Sequence, residues 1–401
     1  MAELMMKIYP NLLPPVANAL EKILIKKVAP GKAIENLLSA QKKWGARDRR
    51  FATDLLMNVI RNFRLLQTLG GEHSDFLTMV GISLILQGYA LPDMPAFHHL
   101  YADVILEKAR ELSAAPEIRY SIPDWLFAIG KAELGEKWEQ ELKFLHQPPE
   151  VILRANLLKI STQNLREELQ AAGVEIDLLP VADEALVLKK RKGIEATASY
   201  KNGHFEFQDV SSQFVSRLLS PEPGMTVIDA CAGAGGKTLH LGALMKNQGT
   251  LVAMDVHEDK LQRLHTRCGR AGLDIVRTIR IRNEKELSPW IEKADRLLLD
   301  VPCSGLGVLR RKPATKWFLD EEELQRLLLL QRKILTDYSQ MVSVGGIMVY
   351  ATCSILPSEN QDQIAWFLDS HPNFEIEEEH HLWPSHGYDG FYAVRLKKNG
   401  C

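Results

Sequence analysis

Two cysteines, Cys303 in VPCSGLGVLRRKP and Cys353 in TCSILPSENQ, each follow a short apolar run. The runs, RLLLD at 296–300 and GIMVYA at 346–351, read as buried strands. A cysteine taken alone is most often a small buried hydrophobe. Both of these stand past a strand end among Pro302, Ser304, Thr352 and Ser354, where a core side chain is not expected. If the two strands are sheet neighbours, as the single helix between them allows, both thiols emerge on one edge. Zinc, redox exchange and nucleophilic catalysis could each use such a pair. Zinc wants four ligands at short spacing, and no CxxC or HxxxH cluster exists, so no metal is expected. A redox disulfide stays open at this level. Nucleophilic chemistry has the best physical motive, because C5 of cytosine is too electron-poor to attack a methyl donor until a thiolate adds at C6. Asp300, three residues before Cys303, can hydrogen-bond the N3 edge of such a base, and the charge of Lys237 can lower a thiol pKa. Cys268 and Cys401 read as buried or surface residues without a chemical role, as does the thiol of Cys231.

A second edge feature precedes the pair. The strand TVID at 226–229 runs into ACAGAGGKT, which ends near a helix start, so the chain turns tightly where open α/β sheets bind ligands. A phosphate-binding P-loop needs a glycine where Cys231 stands. A dinucleotide fingerprint finds Gly233 and Gly235 but Thr238 at the third position. Asp255, at the end of TLVAMD and twenty residues beyond Gly235, can accept from both ribose hydroxyls, as suits NAD and S-adenosylmethionine equally.

These loops need elements to hold them. Over residues 1 to about 120, Val16, Leu20, Ile23 and Leu24, then Ala52, Leu55, Leu56, Val59 and Ile60, repeat at helical spacing. Pro116, Pro123, Pro148 and Pro149 punctuate a packed connection that holds Trp125 and Trp138. VILRAN from Val151 and ALVLKK from Ala185 read as strands around a helix at 164–172 closed by Gly173, forming a small α+β unit. From about Phe205, strands alternate with amphipathic helices, which predicts a parallel sheet covered on both faces. Asp320 as N-cap, Glu323 three residues later and Gly345-Gly346 at the end delimit the helix between the cysteine strands. The expected domains are 1–145, 146–205 and 206–401.

The 401 residues, with 46% hydrophobic and 25% charged, fit two or three globular domains and exclude collagen-like, disulfide-scaffold and largely disordered chains. No apolar run reaches the roughly 18 residues of a transmembrane helix. MAELMMKIYPNLLPP lacks the layout of a signal peptide, so a cytoplasmic, reduced protein is expected, with a monomer as default. With 49 basic and 51 acidic residues the formal charge is -2, so a polyanion would have to meet local patches. Lys189, Lys190, Arg191 and Lys192 form one, and Arg310, Arg311, Lys312 and Lys316 beside Cys303 form another, where phosphates flanking a target base would need neutralising. Trp317 can stack on a base or pack internally.

The motifs together resemble the Sun-type (NOP2/Sun, RsmB-like) family of RNA cytosine-C5 methyltransferases. The resemblance rests on Gln208-Asp209 with SSQ after it, DACAGAGGKT, the Asp255 strand end, LLLDVPCSGLGVLRRKP, YATCSILPSENQ and DGFYAVRL, spread over roughly residues 150 to 398. It implies an α/β Rossmann-like catalytic domain with S-adenosyl-L-methionine held by Cys231, Ala232, Gly233, Ala234, Gly235, Gly236, Lys237, Asp255, Asn283 and Asp300. It implies Cys353 as nucleophile and Cys303 in later steps, product release or proton removal. RDRRFATDLLMNVIRNFRLLQ and IPDWLFAIGKAELGEKW resemble the NusB-like domain and linker of the bacterial RsmB-type enzymes, and PPEVILRANLLKIS, with Arg154, resembles the start of their small RNA-contacting subdomain. That points to 16S ribosomal RNA as partner, with transfer RNA, or a non-catalytic RNA-binding role in ribosome assembly, as alternatives. A nicotinamide oxidoreductase is disfavoured by Thr238. Two departures stand out: Gly233-Ala234 where the family usually has alanine and proline, and Asn283 where an aspartate commonly contacts the adenosine.

Overall fold

The computed structural model describes residues 8–190 and 193–400, with the side chain of His73 left aside. Arg191, Lys192 and Cys401 therefore lie outside the described residues. The chain forms two units, one built from residues up to Gln147 together with Leu309–Glu321, the other from Pro148–Val308 and Glu322 onward.

The first unit is helical. Val16, Leu20, Ile23, Leu56, Val59 and Ile60 are all fully buried, as their spacing predicts, on helices Leu13–Leu24 and Ala46–Arg61. Phe76–Leu86 is apolar on every side and runs through the core, with eight consecutive buried residues from Thr78 to Ile85. The proline-punctuated stretch is also helical, over Asp124–Leu134 and Glu136–Leu145. There Gly130 lets the Trp138 ring approach, since a Cβ would lie 2.3 Å from it. The stretch Leu309–Glu321, which follows the first cysteine loop, belongs to this unit: Trp317 Nε1 donates to Ile60 O at 2.8 Å and its ring meets Phe63 edge-on at 5.2 Å.

The second unit holds two sheets. Strands β1 (Val151–Ala155), β2 (Ile176–Leu178), β3 (Ala185–Leu188) and β4 (Phe205–Phe207) pair antiparallel in the order β2-β3-β1-β4. The helix Thr162–Ala171 buries Leu165 and Leu169, and Gly173 follows it at φ +74°. The larger sheet contains β5 (Thr226–Asp229), β6 (Thr250–Asp255), β7 (Val276–Arg280), β8 (Ala294–Asp300), β9 (Val342–Thr352), β10 (Phe374–Leu382) and β11 (Phe391–Lys398). Its order is β10-β11-β9-β8-β5-β6-β7.

Pairing is parallel from β7 through β9, as expected, but β11 joins β9 antiparallel and β10 follows it in a hairpin. The acidic run Glu375 to Glu379 hides β10, an edge strand whose exposed charges replace the apolar alternation a reader looks for. Gly345-Gly346 was expected to end the preceding helix. That helix, Glu321–Ser339, stops earlier, and the glycines lie inside β9 where its register with β8 shifts between Ala294 and Arg296. Gly345 takes φ +78°, and a Cβ on Gly346 would come within 2.9 Å of Ala294 O, so the pair serves a bulge.

Among the described residues no helix is long and apolar enough to cross a membrane.

Candidate active site

The chain proceeds outward from β5 through β6 to β7, then returns to place β8 on the other side of β5. The crevice between the carboxyl ends of β5 and β8 is thus the switch point where such sheets take ligands. The glycine loop leaves β5 there, and Asp300 ends β8.

In the loop, Gly233 and Gly235 adopt φ +56° and +87°, conformations that disfavour side chains. A Cβ on Gly235 would meet Leu264 at 2.1 Å, whereas one on Gly233 or Gly236 would enter open space. Asp255 is secured by two backbone N–H groups, Gly233 to Oδ2 and His257 to Oδ1, each at 2.8 Å. Each carboxylate oxygen keeps a further lone pair for a ribose hydroxyl. Open space over glycine backbone beside a fixed carboxylate fits S-adenosylmethionine. Ala232 is buried under the loop, and the Ala234 carbonyl accepts from Arg267. The Cys231 thiol is pushed well up by burial and by Asp229, Asp300 and Asp255 around it. Asn283 caps the turn Glu284–Glu286, accepting from Lys285 N at 3.0 Å while its own N–H donates to Glu286 at 2.9 Å.

Beneath the loop, Asp229 is raised to about 7 by burial, an effect that the hydroxyl of Thr238, donating at 2.7 Å, only partly offsets. The residue that breaks the dinucleotide fingerprint thus has a structural task.

The two thiols meet: Cys303 Sγ and Cys353 Sγ lie 3.4 Å apart, since β8 and β9 are parallel neighbours with Asp300 opposite Ala351. Cys303 is raised well above an ordinary thiol by the Cys353 sulfur beside it and by burial. Lys237, whose charge was expected to lower a thiol pKa, is engaged with a carboxylate instead. Its ammonium pairs with Asp300 Oδ2 at 2.7 Å and lies 5.0 Å from the centre of the Phe391 ring.

The basic residues expected to contact RNA are placed very differently. Lys189 and Lys190 are exposed and paired with Asp177 and Glu175 at 3.2 and 2.7 Å. Arg154 is only 2% exposed; it donates to Gln208 and, at 2.9 Å, to Gly236 O. Gln208 is buried as well, and Arg154 therefore supports the glycine loop from below instead of facing solvent. In the helical unit, Arg310 is buried, Arg311 is half-buried, and Lys316 donates to Arg61 O and Tyr120 O at 2.9 and 3.2 Å. Lys316 and Arg310 thus do not form an exposed basic flank: both are buried, and the Lys316 ammonium is given to backbone carbonyls of the helical unit. Three residues with no assigned role, Gln331, Glu359 and Asn360, surround the cysteine loops. Glu359 and Asn360 lie within the quoted motif YATCSILPSENQ, but nothing in their type separates them from an ordinary helix start.

A Rossmann-type sheet, a glycine loop facing an acid-ended second strand, and a thiol pair at the ends of β8 and β9 define a methyltransferase dependent on S-adenosylmethionine. Residues 216–397 match the family model described as 16S rRNA methyltransferase RsmB/F, and residues 122–195 match the ferredoxin-like domain of RsmF/B-like methyltransferases. The chain belongs to the RsmB/F family and is an RNA methyltransferase. It is 30% identical to the probable ribosomal RNA small subunit methyltransferase B of Synechocystis, over 88% of this chain and 91% of that one. It is 33% identical to the Bacillus subtilis protein of the same name, over 73% of this chain and 63% of that one. The crystal structure of PH0851 covers 98% of this chain and 100% of its own, with TM-score 0.82 at 26% identity. NSun6 from Pyrococcus horikoshii, crystallised with SFG, shares the fold at TM-score 0.64 and 20% identity, over 70% of this chain and 99% of its own.

Proposed function

We propose that the chain methylates C5 of a cytosine in small-subunit ribosomal RNA, with Cys353 as the nucleophile. The observation that carries this reading is the 3.4 Å approach of Cys303 and Cys353 beside Asp300 at the switch-point crevice. Relatives that carry the name ribosomal RNA small subunit methyltransferase B support the substrate. We take the protein to act as a cytoplasmic monomer without a metal.

In this mechanism the Cys353 thiolate adds to C6 of an unstacked cytosine while Asp300, steadied by Lys237, holds the N3–N4 edge. The ring electrons then make C5 nucleophilic. Gly233, Gly235, Gly236 and Asp255 would hold the cofactor, which when bound would supply an electrophilic methyl group. A base takes the C5 proton, the C–H electrons restore the C5–C6 double bond, and the Cys353 thiolate leaves. Cys303 remains a thiol and its S–H hydrogen-bonds the departing sulfur, which makes it a release residue.

Transfer of tritiated methyl to ribosomal RNA, with bisulfite sequencing to place the mark, tests the reading. Cys353→Ala should lose methylation and covalent RNA trapping yet retain S-adenosylhomocysteine binding; normal turnover would overturn the mechanism. Cys303→Ala should accumulate a protein–RNA adduct on a denaturing gel, and the absence of any adduct counts against its release role.

A further inference from the structure

Glu359 and Asn360 are consecutive and almost wholly buried, and each holds the backbone around one of the thiols. The Glu359 carboxylate accepts from Ser304 N at 2.8 Å, from Ser304 Oγ, and from Gln331 Nε2 at 3.0 Å. The same Gln331 nitrogen donates to Pro302 O at 3.1 Å. Both chain neighbours of Cys303 are therefore tied to one carboxylate and carboxamide pair. Asn360 does the equivalent for the second thiol. Its Oδ1 accepts from Thr352 Oγ1 at 2.5 Å and its Nδ2 donates to Ser354 O at 3.2 Å, on either side of Cys353.

The two grips are joined. Ser304 Oγ lies 3.2 Å from Ser354 Oγ, and Tyr350 on β9 donates its hydroxyl to Glu359 O at 2.7 Å. Burying a carboxylate is unfavourable even when its lone pairs are engaged, and an apolar side chain of similar volume would close the same space at lower cost. What the apolar side chain could not do is fix the direction in which two loops leave their strands.

We propose that Glu359 and Asn360 are the positioning residues for the thiol pair, Glu359 setting Cys303 and Asn360 setting Cys353. The inference rests on the cysteine roles given above, and it makes neighbouring residues govern opposite halves of the cycle. Glu359→Gln cannot accept every hydrogen bond the carboxylate accepts, and Asn360→Asp loses the donor to Ser354 O.

The test uses the full chain with RNA and cofactor, with activity normalised to the fraction of protein that binds S-adenosylhomocysteine. Glu359→Gln should behave like Cys303→Ala, with turnover down about tenfold or more, as for misplacement of a reacting group, and with adduct accumulating. Asn360→Asp, introduced into the Cys303→Ala background, should reduce adduct formation by a similar factor. Variants that both change adduct in the same direction, or that regain wild-type turnover once normalised, would overturn the proposal. Should Glu359→Gln not fold, Ser304→Ala removes only the hydroxyl link and should give the same adduct phenotype at smaller amplitude.

A second readout needs no RNA. Phenylarsine oxide bridges two close thiols, so the wild-type protein should bind it through Cys303 and Cys353, and Glu359→Gln should bind it at least about tenfold more weakly if the pair has moved apart. Unchanged binding would overturn the positioning role. If the two cysteine variants themselves methylate normally, the cysteine mechanism fails while the arsenical result still reports on the clamp.

Discussion

Lys237 Nζ lies 2.7 Å from Asp300 Oδ2, and this pair joins the first turn after the glycine loop to the end of the strand that leads to Cys303. Lys237 is almost buried, whereas 29% of the Asp300 side chain remains exposed, so water screens part of the attraction. Lys237→Met should therefore cost only about 1–2 kcal/mol of stability, below the full value for breaking a buried pair. Turnover should suffer more, by at least about tenfold, because in the proposed mechanism Lys237 is the partner that steadies Asp300 against the base. Chemical denaturation and methyl-transfer kinetics on the same preparation check both numbers. Wild-type kcat in Lys237→Met would show that Asp300 is oriented without it.

Asp229 supports the same loop from inside the sheet and gives stability a distinctive pH dependence. Its folded pKa, about 7, exceeds the ordinary 3.8, so the folded chain holds a proton there that the unfolded chain has released. Its contribution is thus fully present below about pH 4 and falls as pH rises toward 7. His240, lowered to about 4 by burial, works in the opposite direction over part of that range. The clean measurement is the difference in unfolding free energy between wild type and Asp229→Asn, which should shift against the wild type as pH rises from about 4 to about 7. A constant difference would mean that Asp229 does not titrate there.

How much of this could be seen in the sequence depends on where the signal lies. Strand ends followed by loop-forming residues revealed Cys303 and Cys353, because period and punctuation are local properties. The same reasoning located Asp255, whose spacing from Gly235 follows from the length of one helix and one strand. It failed for Lys316 and Arg154, since nothing in a basic residue's neighbours shows whether backbone carbonyls will gather around its charge. It also missed Glu359, whose three donors come from Ser304 and Gln331, 55 and 28 residues away in the chain. Gly345-Gly346 was visible as a break, but a helix end and a strand bulge use the same residue for the same reason, its tolerance of positive φ.

Arg154 gives the correction a measurable form. Burial lowers its pKa to about 10, which leaves it charged at neutral pH, and its Nη1 donates to Gln208 and to Gly236 O. Arg154→Ala should destabilise the protein by about 3 kcal/mol, through unpaired buried acceptors and lost packing. It should also weaken cofactor binding, since Gly236 opens the helix after the loop. The salt dependence of RNA affinity should not change, because that slope counts phosphates neutralised. Lys189→Ala and Lys190→Ala provide the contrast, being exposed and near neutral for stability. A shallower salt slope in Arg154→Ala would restore the direct RNA contact.

Glu184 precedes β3 of the small sheet, and His240 lies on the helix that follows the glycine loop; their side chains meet at 2.9 Å with both almost fully buried. Arg217 adds a second contact to Glu184 at 2.9 Å. Burial alone would raise the Glu184 carboxyl, but the His240 hydrogen bond and the Arg217 charge carry it below the usual range. Burial, with Arg154 nearby, lowers His240 to about 4 from 6.5. A folded chain that keeps His240 neutral loses stability relative to the unfolded chain as pH falls from 6.5 toward 4, where the unfolded imidazole takes up its proton first. Glu184 adds a loss at still lower pH, as its depressed carboxyl is finally protonated. His240→Asn should flatten the upper part of this acid limb. Glu184→Ala should cost about 3 kcal/mol near neutrality by leaving Arg217 and the imidazole short of an acceptor. Because the pair ties the small sheet to the helix of the glycine loop, Glu184→Ala should also loosen S-adenosylhomocysteine binding by about two- to tenfold in calorimetry. Unchanged affinity together with lost stability would confine the pair to folding and separate the small sheet from the cofactor site.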